Sequence, residues 1–138
     1  MMELWHGLAT WGLVGLIWVV QLVIYPQFAA VGETAFAAYH ADYTRRVTWV
    51  VGPLMLGEVA TAVVLLGRGD RPLWLLTSLA PLAVCWLSTA CLQVPLHNRL
   101  ARGFEAKAHR ALVRSNWIRT VAWTVRGALV AFGLAQGE

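Results

Sequence analysis

Glu58 and Arg126 are opposite charges in this 138-residue chain, Glu58 the one charge of its apolar run and Arg126 the deepest of three arginines, with Arg114 and Arg119, in another. Either one alone costs several kcal/mol in hydrocarbon, so both are expected to face other helices and to meet. That pairing would serve as an internal salt bridge fixing helix register, or as part of a buried polar site or proton path. Asn116, Arg119, Thr120, Trp123 and Arg126 recur at spacings of three and four, which lines amides, guanidinium groups and an indole along one helical stripe. Gln21, Tyr25, Thr89 and Gln93 fall at a similar level in two other apolar runs. Together with Tyr39, His40, Tyr43, Arg45, Arg46 and His97 from the adjoining segments, they define a polar pocket open toward one membrane face. In this reading His40, His97 and Tyr43 are the candidate catalytic groups, because imidazole and phenol move protons and imidazole also ligates metal or haem. Gln93, Asn116, Arg119, Glu58 and Arg126 are the candidate substrate-binding groups. His6 and His109 read as solvent-exposed.

No HxxxH or HExxH spacing occurs, so no dedicated metal site is assigned. The cofactor is left open between none, haem and a metal. Walker, GxGxxG and GxSxG loops are also absent. Cys85 and Cys91 lie on one apolar run without a CxxC motif and read as small buried hydrophobes.

The elements that must carry these groups are membrane spans. Of the residues, 59% are hydrophobic and 13% charged, and the charges avoid long stretches. Residues 7–32 and 72–96 contain none, and 47–67 contain only Glu58. A helix needs about 20 apolar residues to cross about 30 Å of hydrocarbon. Spans at about 4–28, 47–67, 72–94 and 112–134 follow, giving an all-α, integral membrane four-helix bundle as one transmembrane domain over residues 1–138. The first run lacks a preceding Lys or Arg and exceeds a signal h-region, so it reads as a true span. Short polar helices are expected at 33–46 and at about 98–108, before the second and fourth spans.

The net charge of +4 sorts by connection. Arg45, Arg46, Arg99, Arg102, Lys107 and Arg110 follow the first and third spans, against Arg68 and Arg71 after the second. By the positive-inside rule both termini lie outside the cytoplasm, in the cell (inner) membrane. The basic residues then mark topology and lipid headgroups rather than nucleic acid. The expected partners are the bilayer, a hydrophobic small molecule and an oligomeric or other membrane subunit.

The two halves read as a repeat of helical hairpins. His40, Arg45, Trp49 and Glu58 follow Pro26 at nearly the intervals at which His109, Arg114, Trp117 and Arg126 follow Pro95. The repeat would be parallel, about an axis along the membrane normal.

The segment Gln93-Val94-Pro95-Leu96-His97-Asn98, with Leu112, Asn116-Trp117-Ile118-Arg119 and Trp123, resembles the anthrone oxygenase-like family of small four-span membrane proteins. The first span, from Trp11 to Tyr25-Pro26, is similar to HemJ-type haem-binding protoporphyrinogen oxidases, although their Tyr-His pairing at the end of that span is missing and Tyr39-His40 comes later. These resemblances imply a membrane oxidoreductase or oxygenase-like protein acting on an apolar molecule. The alternative is a non-catalytic membrane subunit whose buried polar residues hold helices together and dock a partner.

Overall fold

A computed structural model describes residues 1–69 and 72–136, so Asp70 and Arg71 of the expected outer turn, and Glu138, lie outside the described residues. Four helices are long and apolar enough to cross a membrane: α1 (Met2–Ala30), α2 (Glu33–Gly67), α3 (Leu73–Leu100) and α4 (Ala106–Gln136). No strand occurs among the described residues. The helix is the form such sequences take because it satisfies every interior backbone group within its own segment.

The helices are longer than the apolar runs alone predict. No Gly or Pro separates residues 33–46 from the second span, so the expected short polar helix is simply the first turns of the continuous α2. The other expected short helix, 98–108, is not formed either. α3 runs to Leu100, a turn follows, and α4 starts at Ala106. That turn needs Gly103, whose φ of +139° is unfavourable for a side chain.

Pro26 and Pro95 do not end their helices. Each is preceded by a π-helical turn, Val20–Ile24 in α1 and Thr89–Gln93 in α3. The amide of Tyr25 reaches back to Val20 O, and that of Val94 to Thr89 O. The wider turn makes room for a ring that would otherwise clash with the carbonyl four residues back. Each half thus carries the same local device at the same place before its proline.

The packing is less symmetric. α1 lies against α2 and α4, and α4 against α1 and α3, whereas α2 and α3 show no comparably close backbone approach among the described residues. Small residues set the close crossings. A Cβ on Gly127 would lie 3.0 Å from Val14, and one on Gly133 would run into the Trp74 ring. The larger buried cluster gathers Leu13, Ile17, Tyr25, Phe28, Phe36, Leu112 and Trp123, and a smaller one joins Leu65, Trp74, Leu75 and Val130. Trp5, Trp11, Trp49 and Trp117 are exposed on the bundle surface.

Candidate functional site

The polar interior divides into two networks, separated by Trp123. The first is built on Arg126, which is fully buried. Its Nε donates to Glu58 Oε1 at 2.7 Å, its Nη1 to Ser78 O at 2.5 Å and Ser78 Oγ at 2.9 Å, and its Nη2 to His6 Nε2 at 3.1 Å. Glu58 also accepts from Thr10 Oγ1 at 2.9 Å and from Trp123 Nε1 at 3.3 Å. Because a guanidinium only donates, His6 Nε2 must be bare and its proton must sit on Nδ1, 2.8 Å from Thr61 Oγ1. Thr61 in turn donates to Gly57 O at 2.7 Å. The expected meeting of Glu58 and Arg126 is found, with charge balanced and every group served. His6, expected at the surface, is buried here because α2 and α4 close over it.

The second network lies toward the end of the bundle that holds Pro26 and Pro95. Arg119 Nε and Nη2 donate to Asn116 Oδ1 at 3.0 and 2.5 Å. Nη1 reaches Thr89 Oγ1 and Nη2 reaches Tyr25 Oη, each at 3.2 Å. Asn116 donates to Gln21 Oε1 at 2.8 Å, and Gln21 to Val113 O at 3.1 Å. Gln93 stands beside this group, accepting from Ser88 at 2.9 Å and donating to Ser115 at 3.2 Å.

Beyond Arg119 runs a row of three ring side chains. Tyr25 Oη is 2.9 Å from His97 Nε2, and His97 Nδ1 is 2.9 Å from His40 Nε2. Arg119 occupies a lone pair of the Tyr25 oxygen and leaves its O–H free to point at His97. His97 then carries its proton on Nδ1 and hands it to His40 Nε2, and the His40 proton sits on Nδ1. That nitrogen is buried and has no partner. A row of this kind can pass a proton between its ends by tautomer exchange.

A cavity of about 190 Å³ adjoins the row. Leu13, Leu16, Ile17 and Val20 of α1 and Val47, Thr48, Val51 and Gly52 of α2 line it, with Tyr25, Tyr43, His97, Arg119 and Trp123 as its inner wall. Thr48 is exposed and Leu16, Val47, Val51 and Gly52 are partly so, which opens the cavity between α1 and α2.

Of the expected site residues, His97, Tyr43 and Arg119 stand on the cavity wall, His40 lies behind His97, and Asn116 braces Arg119. Glu58 and Arg126 are off the wall, behind Trp123. Arg45 and Arg46, expected at the pocket, instead project outward and pair with Asp42 on their own helix. His109 is buried rather than exposed, its Nε2 2.7 Å from Tyr25 O, where a carbonyl needs a donor next to the Pro26 turn. Cys91 faces outward, not inward as Cys85 does. Tyr25, expected in the pocket with Gln21, is there and joins Arg119 to His97.

Neither imidazole at the cavity offers haem a free nitrogen. Both ring nitrogens of His97 are held within the protein, and the free nitrogen of His40 is not on the cavity wall. No group of three or more His, Cys, Asp or Glu side chains converges to hold a metal ion among the described residues. Compared with family models, with curated proteins and with solved structures, the chain matches none.

Proposed function

We propose that this four-helix membrane protein is an oxidoreductase or oxygenase-like protein acting on an apolar small molecule held in the cavity between α1 and α2. The observation that carries this reading is the hydrogen-bonded row Tyr25–His97–His40 ending on the cavity wall beside Arg119. Oxidising an apolar molecule at a C–H or O–H group releases protons that cannot escape into hydrocarbon. The row supplies an acceptor at the point of release: as Tyr25 takes the proton it gives its own to His97, and the two imidazoles hold the charge until the reduced acceptor takes the proton up. The electrons go to a membrane-soluble acceptor, of which molecular oxygen and quinones are the classes small or apolar enough to arrive by the same route. The anthrone oxygenase-like resemblance of residues 93–123 favours the same chemistry.

The pocket faces the cytoplasmic half, with both termini outside, in the inner membrane. Support comes from the bias of Arg and Lys toward the connections after α1 and α3. The competing reading, a non-catalytic membrane subunit, is favoured by the Arg126 network, whose groups are all spent on one another. Single replacement of His40, His97 and Arg119 by Ala, Ala and Gln separates the two. Loss of turnover of an apolar phenol or hydroquinone at normal folding yield supports catalysis, and loss of yield alone supports the subunit.

A further inference from the structure

Arg119 and Arg126 make equal numbers of hydrogen bonds, but only one of them is neutralised. Arg126 meets the Glu58 carboxylate. Every partner of Arg119 is uncharged: an amide, a threonine hydroxyl and a phenol. No carboxylate lies within ion-pair distance of it among the described residues, although the residue is only 7% exposed. A guanidinium keeps its charge in such a place, and a buried charge without a counter-charge is strongly disfavoured. Arg119 also fronts the cavity, and Nη1 retains one N–H beyond its bond to Thr89.

The rest of the cavity describes what the counter-ion is attached to. Its walls toward the lipid are aliphatic, from Leu13 to Val20 on α1 and from Val47 to Val51 on α2. About 190 Å³ is room for a head and a few methylenes, since a cavity of about 150 Å³ already takes benzene. Its mouth lets a chain continue into the bilayer. Counted from Leu112, Arg119 lies about 10 Å along α4, below the level of lipid phosphates. The room beside Arg119 takes one head and part of one chain, which fits a single-chain acid rather than a double-chained phospholipid.

We propose that the cavity is a binding site for a single-chain amphiphile with a carboxylate head, the carboxylate meeting Arg119 and the chain leaving between α1 and α2. This deepens the functional reading above, on which it rests only in taking the cavity to be a ligand site.

Gly52 supplies a clean test, because it borders the mouth of the cavity and a Cβ there meets nothing within 4 Å, so a longer side chain can be added at the mouth without the Cβ striking protein. Binding of palmitate and of its uncharged methyl ester is measured on the full chain in phosphatidylcholine nanodiscs. Palmitate is expected to bind about tenfold or more tightly than the ester, as a charge-assisted bond to a buried guanidinium requires. Arg119→Gln should bring that ratio close to one, and Gly52→Leu should abolish binding of both at unchanged melting temperature. Equal binding of acid and ester would overturn the proposal. So would a ratio that survives Arg119→Gln, or displacement of palmitate by phosphatidylglycerol, which would give the site to a lipid headgroup. Should Arg119→Gln fail to fold, the acid-to-ester ratio and Gly52→Leu decide the matter. His97→Asn separates this idea from the catalytic one. On the catalytic reading it abolishes turnover and preserves the palmitate ratio; a wild-type protein that shows that ratio but turns nothing over would defeat catalysis and leave the site, whereas turnover of a neutral phenol without palmitate binding would do the reverse.

Discussion

Arg119 and Arg126 lie two turns apart on the same face of α4, and their surroundings differ in kind. Around Arg126 the protein has closed a circuit: Arg126 holds the Glu58 carboxylate, Ser78 and His6, Glu58 also takes the Trp123 indole N–H, and of these groups only the Trp123 ring reaches the cavity. Around Arg119 the circuit is left open at two places, the unbalanced charge itself and the partnerless Nδ1 of His40. Buried polar groups that only hold helices together are expected to satisfy each other completely. The first network meets that expectation and the second does not, which is why the site is assigned to the second. Their separation by the Trp123 ring lets one indole be anchored by the structural network while its face walls the other.

The comparison is broken most forcefully at Glu58. Glu58→Ala strands Arg126 in the interior and is expected to cost about 3–5 kcal/mol, read as a fall in denaturation midpoint and yield. Adding Arg126→Met should recover most of it, so a double-mutant cycle far from additivity is the expected result. Strict additivity would mean the pair carries no mutual dependence.

Gly133→Ala tests the crossing that frames the structural half. The added methyl meets the rigid Trp74 ring, and a loss of about 1–3 kcal/mol in thermal stability should follow, with any ligand binding retained.

Trp123→Phe removes the indole N–H from Glu58 while leaving most of the cavity wall. The expected loss is about 1 kcal/mol, accompanied by altered ligand affinity. A stability change with no effect on binding would show that the two networks are independent.

The smallest effect belongs outside both. Asp42→Asn breaks the exposed pairs with Arg45 and Arg46 and should leave the melting temperature unchanged, because such pairs are solvent-screened.

Much of the Arg126 network was legible from the chain alone. Glu58 is the only ionisable group within its run and Arg126 the deepest in the fourth, so similar depth and opposite sign left few other partners. The same reasoning did not reach His6, whose partners Thr61 and Arg126 depend on how α1 is rotated about its axis. It placed Tyr25, His97 and His40 in one pocket but not in one hydrogen-bonded row, because which ring nitrogen meets which oxygen depends on how α1, α2 and α3 are rotated against one another and on the π-helical turns before Tyr25 and His97.

What the sequence by itself determined is therefore what depends on sums over neighbouring residues. The four apolar runs, their helical form and the level in the membrane at which each charge sits all follow from local composition and the rise per residue. Rotation is not a local sum. Only the tertiary packing, with Gly127 admitting Val14, Gly133 admitting Trp74 and two prolines widening their own helices, decided which polar groups face one another. It thereby left Arg126 with a carboxylate and Arg119 with a cavity.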